Sequence, residues 1–158
     1  MYVNSQFSRV FLLLILAGCS SDSETDSPLR VSIEFVRLDS GFNTLLQQSP
    51  MRLTAITNQA NLEQIWPSIS TLPTPVLGDS TIVIAELGTQ SGTDPEIMVE
   101  SIVENTSFIE VFVTSFFGGP GCTEDSALST PFDAVQFESI RQPIMFRERM
   151  EIVRCDAS

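Results

Sequence analysis

The chain has 158 residues, with 20 acidic and 8 basic side chains, a net charge of −12, and no histidine; all basic residues are arginine. Without histidine or lysine, Ser-His-Asp, Cys-His and Ser-Lys catalysis, Schiff-base chemistry and histidine-ligated zinc are excluded. So acidic a surface repels phosphate backbones and lacks a polybasic grip on anionic lipid, so a charged partner of the surface as a whole would present a basic patch or divalent cations.

The chain opens with an apolar run over residues 10–17 behind Arg9. It is far shorter than the ~20 residues that span a bilayer as a helix. A short apolar region behind one positive charge and before small residues marks a secretory signal peptide. The tetrapeptide Leu16-Ala17-Gly18-Cys19 resembles the lipobox of bacterial lipoproteins. That resemblance implies removal of residues 1–18, a diacylglycerol thioether on Cys19 and acylation of its freed amine, palmitate being the usual chain. Two or three acyl chains hold a protein stably on a membrane where one does not. Ser20 and Ser21, standing where aspartate would favour inner-membrane retention, imply the outer membrane; which side the domain faces stays open. Residues 19–29, "CSSDSETDSPL", have too few apolar groups to offset the entropy of ordering and read as an acidic tether. Residues 30–158 suffice for one domain with a core.

"RVSIEFVRL" alternates with Val31, Ile33 and Phe35 on one face, which predicts a half-buried strand ended by the turn residues of "DSGFNT". A second short strand is expected from Met51 to Ile56. Asn58 can then cap a helix whose Leu62, Ile65, Trp66 and Ile69 fall at helical spacing, ending or kinking at Trp66 because Pro67 cannot donate. "TIVIAEL" is apolar on both faces, as in a central strand, and "GTQSG" after it is a loop or a hairpin connection. "IMVESIVE" and "SFIEVFVTSFF" read as a hairpin around Asn105-Thr106, and "FGGPGC" as a sharp exit. "FDAVQFESI" is another strand. "PIMFRERMEIVR" is the last, with Ile144, Phe146, Met150 and Ile152 on one row that Glu148 interrupts. Short connections favour antiparallel pairing. The expected fold is α+β: six or seven mostly antiparallel strands, curled toward a barrel, with one short helix after the second strand.

Twenty acids in an acidic protein are expected on the surface, and Glu148 on its apolar row is expected at a bend or bulge rather than as a perturbed acid. No metal site or cofactor is expected. Cys122 and Cys155 remain once Cys19 is lipidated; in an oxidising compartment they pair as a disulfide, the alternative being two buried thiols. Phe112 and Phe116 share a face of their strand opposite Val111, Val113 and Phe117, which predicts a strand buried on both sides, the other reading being an aromatic patch for a partner. Trp66 is expected in the core.

The order of these pieces resembles the PrcB-like family, named for a lipoprotein that stabilises a bacterial surface protease complex. The likeness covers roughly residues 40–155 and rests on "SGFNT" at 40–44, "TAITNQANLEQIW" at 54–66, "STIVIAELGTQSG" at 80–92 and "STPFDAVQF" at 129–137. It implies an accessory protein without catalytic residues. The sequence departs from the family where Gly92-Thr93 leads into Asp94 and Pro95 instead of a further glycine and an aromatic. The expectation is therefore a non-enzymatic, lipid-anchored envelope protein that binds or stabilises another envelope protein, such as a protease complex. Its candidate contacts are Gly88, Gly92, Phe116, Gly118 and Gly119. A loop-based protease inhibitor and a small-ligand or glycan-binding module with Trp66 as platform remain open alternatives.

Overall fold

The computed structural model describes residues 30–43, 49–91, 95–122, 128–138 and 141–155. The signal peptide, Cys19, the tether and Gly92 lie outside the described residues. In chain order the strands are β1 (Val31–Ile33), β2 (Val36–Asn43), β3 (Arg52–Ile56), β4 (Ser80–Glu86), β5 (Gln90–Ser91), β6 (Glu96–Glu104), β7 (Ile109–Gly118), β8 (Leu128–Glu138) and β9 (Ile144–Val153). One helix, α1 (Gln59–Ile65), lies between β3 and β4.

The strands form two sheets, one ordered β1-β6-β7-β9 and the other β2-β8-β4-β3, with β5 also paired to β8. The α+β, mostly antiparallel expectation holds. Among the described residues there are nine strands instead of six or seven, and the sheets stack without closing into a barrel. "TIVIAEL" shows why two layers form. Val83 and Ala85 of β4 join Val99, Val111, Val113 and Val135 in a core between the sheets. Ile82 and Ile84, on the opposite face, join Leu62, Trp66 and Ile69 in a second core beneath the helix. A strand buried on both faces reads as a continuous apolar run.

The helix is as expected. Asn58 Oδ1 accepts from the N–H groups of Ala60 (2.8 Å) and Asn61 (3.3 Å), and α1 gives way at Trp66 to a 3-10 turn, Trp66–Ser68. Trp66 is fully buried and its Nε1 donates to the Leu72 carbonyl at 2.9 Å.

Three expectations need correction. "RVSIEFVRL" is two strands. Val31–Ile33 pairs with β6, whereas Val36 onward pairs with β8 in the other sheet. Between them Phe35 packs on the inter-sheet core, so the chain turns a corner around its ring. "DSGFNT" does not end the strand either. Asp39–Asn43 continue β2 opposite Ala134–Thr130, after a register shift that absorbs Leu38. Turn residues break a strand only when no neighbour supplies a ladder, and β8 supplies one here. Finally, β9 pairs with β7 in parallel. The connection is not a short loop: β8 itself is the crossover, passing through the second sheet before the chain returns, which meets the length a parallel connection needs.

Candidate functional site

Among the described residues three carboxylates are buried, and arginine meets each of them. Asp133, on β8 and facing the inter-sheet core, is 1% exposed. Its Oδ1 accepts from Arg37 Nε at 2.7 Å and its Oδ2 from Arg37 Nη2 at 3.0 Å and from the Val99 N–H at 2.7 Å. Arg37 Nη2 also donates to the Val99 carbonyl at 3.0 Å. The pair thus bonds both backbone groups of Val99, where β6 shifts register and runs beyond the short β1. The hydrogen bond to Asp133 raises the Arg37 pKa against the opposing effect of burial. Glu86, at the end of β4, accepts from Arg52 Nε at 2.6 Å across the β3–β4 ladder. Carboxylates so engaged join elements of the fold; they are not arranged as a free acid and base.

The third carboxylate is Glu110, on the outer face of the first sheet. Its Oε1 accepts from Arg147 Nε at 2.8 Å, and its Oε2 from Arg30 Nη2 at 3.0 Å and Asn105 Nδ2 at 3.1 Å. The bond from Arg147 first, then that from Asn105, holds its pKa below the ordinary glutamate value. A depressed carboxylate contributes stability that is fully present above the unfolded-state pKa and lost as pH falls through the folded one. Urea unfolding followed through the acid range is therefore expected to show a loss of stability below the ordinary glutamate pKa, and Glu110→Gln is expected to make that loss smaller. An unchanged pH profile in the variant would refute the assignment.

Of the glycines singled out in the sequence, Gly88, Gly118 and Gly119 make backbone contacts within the fold. Gly88 is buried at φ 78°, and a Cβ there would lie 2.6 Å from the Ser49 carbonyl oxygen and 2.7 Å from the Met51 nitrogen. The backbone entering β3 crosses directly over it. Thr89 N–H donates to the Ser49 carbonyl (2.8 Å) and Ser49 N–H to Thr89 Oγ1 (2.8 Å), which ties this loop down. Gln90 and Ser91 then pair with β8 as β5, so part of the expected loop is strand. Gly118 closes β7 opposite Val153, and Gly119 donates its N–H to the Val153 carbonyl at 2.7 Å. Gly121, at φ 92°, lets the turn pass against the Cys155 carbonyl. Cys122 and Cys155 meet there as a disulfide, with Cα atoms 4.8 Å apart. It fastens the turn after β7 to the end of β9.

The sequence predicts the strand of Phe116 to be packed between two layers; among the described residues it is not. Ile109, Val111 and Val113 point into the inter-sheet core, so Glu110, Phe112, Thr114 and Phe116 occupy the opposite face of β7. The helix lies against the other sheet, and among the described residues no helix or second sheet packs on this outer face. Phe112 and Phe116 are half-buried there, flanking the fully buried Thr114. Across the ladder, Arg147 stands opposite Phe112 and Arg149 opposite Thr114. Arg30 and Arg147 share the single carboxylate of Glu110, leaving one unit of positive charge beside Phe112. On a protein of net charge −12, Phe112 thus lies beside arginine, whereas Phe116 stands between Glu96 of β6 and Glu151 of β9. The alternation of "SFIEVFVTSFF" located these two rings on one face; only the topology says that no other layer of the described residues covers that face. The arginines, from opposite ends of the described chain, carried no signal in the sequence.

Trp66 lies in the second core, which removes it as a ligand platform. Glu148 interrupts no ladder: β9 runs without a register shift, and Glu148 is exposed because the apolar row itself leaves the core beyond Phe146. Among the described residues, no helix is long and apolar enough to cross a membrane. Compared with known proteins, the chain matches no family model, no curated protein and no solved structure.

Proposed function

We propose that this protein is a lipid-anchored accessory protein of the bacterial envelope, held by Cys19 and binding another envelope protein through the outer face of the first sheet. The observation that carries this reading is the uncovered pair Phe112 and Phe116 beside the shared Arg30–Glu110–Arg147 cluster. Aromatic residues and arginine are enriched at protein interfaces, and Phe112 has Arg147 beside it. A complementary partner places an apolar side chain on the rings and a carboxylate at the guanidinium pair. The PrcB-like arrangement of sequence segments supports a protease complex as that partner, and the lipobox-like "LAGC" supports the outer membrane as the location.

The test compares crosslinked, detergent-solubilised envelopes carrying the wild-type chain or a Phe112→Ser/Phe116→Ser double variant, with folding checked by circular dichroism. The wild type is expected to retain one envelope protein in stoichiometric amount, and the folded variant to lose it, while mass spectrometry finds acyl chains on Cys19. Recovery of the wild type alone, equal recovery by both chains, or an unmodified Cys19 would overturn the reading.

A further inference from the structure

Strand β9 is one edge of the first sheet, and seven of its ten residues are exposed. Beyond Gln142 and Pro143 it runs for ten residues, paired only with β7 among the described residues. Four of the large apolar side chains that remain exposed belong to it: Met145 (41%), Met150 (69%), Ile152 (68%) and Val153 (47%). A long edge with unpaired backbone groups and exposed apolar side chains is a template for another strand. Native edges are commonly protected by inward-pointing charge, and Glu148 is such a residue; its influence depends on what it would face.

The backbone bonds decide which groups are free. Ile109 N–H donates to the Pro143 carbonyl at 2.8 Å, and Gly119 N–H to the Val153 carbonyl at 2.7 Å. Both ends of the ladder therefore turn odd-numbered carbonyls toward β7. The even-numbered residues from Ile144 to Ile152 direct their N–H and C=O groups to the open edge. An antiparallel strand from a second copy, related by a two-fold axis normal to the sheet, keeps each face on its own side. Residues facing one another then have numbers with an even sum, so only a few registers exist.

Most of these registers fail on charge. Centring on Glu148 sets it against its own copy and Arg147 against Arg149; centring on Arg149 or Glu151 likewise faces like charges. Centring on Met150 is different. Met150 meets Met150 in a hydrogen-bonded pair, Glu148 falls opposite Ile152, and Arg149 faces Glu151 twice, once on each side of the axis. The Arg149–Glu151 pairs are the non-hydrogen-bonded ones, in which side chains approach most closely. Arg149 and Glu151 already form a 2.8 Å ion pair within one chain, so both are turned to the same face.

The geometry points to a homodimer in which β9 of two copies pairs antiparallel about Met150, extending the first sheet continuously across the two-fold axis. The pairing uses the backbone edge of β9 and leaves the rings of Phe112 and Phe116 free, although Arg149 and Glu151 lie on the same face as those rings. Failure of either leaves the other standing.

Sedimentation velocity of the purified full chain tests the pairing. The wild type is expected to show a concentration-dependent monomer–dimer equilibrium. Arg149→Glu, which turns both opposite-charge pairs into like-charge pairs, is expected to weaken it by about tenfold or more, and Arg149→Glu/Glu151→Arg to restore it. Register is read by oxidation. Met150→Cys is expected to give a covalent dimer, because facing Cα atoms in a hydrogen-bonded pair lie ~5.5 Å apart, within disulfide reach. Glu148→Cys, opposite Ile152, is expected to give none. A chain that stays monomeric at all concentrations, a dimer indifferent to Arg149→Glu, or crosslinking through position 148 in preference to 150 would overturn the inference.

Discussion

Replacing Asp133 by alanine is expected to destabilise the fold by about 3–5 kcal/mol, the usual cost of removing one partner of a buried ion pair. The carboxylate is buried between the sheets and accepts three hydrogen bonds, two from Arg37 and one from the Val99 N–H. Alanine would leave the Val99 N–H without its acceptor and the Arg37 guanidinium without its counter-charge. Arg37 is 40% exposed along its side chain and recovers some hydration; the Val99 amide, between the sheets, recovers little. Asp133→Asn retains an acceptor for Val99 and is expected to cost about 1–3 kcal/mol, mainly the charge-assisted part. Urea denaturation measures both. Equal stability of wild type and Asp133→Ala would show that this link between the sheets is dispensable.

The second large effect is expected at the disulfide. Cys122 and Cys155 are 33 residues apart, and the segment they enclose contains all of β8 and β9. Constraining a loop of that length stabilises by roughly 3–4 kcal/mol in the chain-entropy model. The paired substitution Cys122→Ser/Cys155→Ser is expected to lower stability by about that amount. The loss should be uneven. The bridge fastens the last residues of β9 to the turn after β7, where Gly119 N–H reaches the Val153 carbonyl. Those residues are exposed and hold on to the sheet along one edge only. Hydrogen exchange should therefore quicken most over residues 150–155 and least in β4, which is buried on both faces. Uniform acceleration across the sheet would mean that the bridge acts on the whole unfolded chain and has no local role at the edge.

Both effects lie in contacts between distant parts of the chain, and this divides what was legible from what was not. Local patterns read true wherever the decisive physics was local. Asn58, the apolar spacing through Trp66 and the placement of Pro67 located α1 and its end. The two-sided apolarity of "TIVIAEL" identified a buried strand, and Asn105-Thr106 marked the hairpin of β6 and β7. The α+β class follows from these. Local signals misled where a partner strand changed their meaning: Gly41 and Asn43 look like a turn until β8 lies beside them.

The candidate surface divides in the same way. Alternation placed Phe112 and Phe116 on one face of β7, because side-chain direction along a strand is a local property. Whether that face is buried depends on which sheet the helix covers, a matter of topology alone. Gly88 drew notice as a loop glycine and Gly121 lies within the exit "FGGPGC", yet what each permits is the close passage of Ser49 and Cys155 against it. The arginines show the limit most clearly. Arg30 and Glu110 are 80 residues apart and Arg37 and Asp133 are 96, and no periodicity relates such positions.

By itself the sequence determined which chemistries the protein lacks the residues for, where one helix and most strands begin, and that two cysteines were available to pair. Only the tertiary structure decided that the chain divides between two sheets, that β9 returns parallel to β7, and which apolar face and edge stay open among the described residues. The reason is that periodicity reports how a segment presents its own side chains, whereas burial and pairing depend on what the remainder of the chain brings against them.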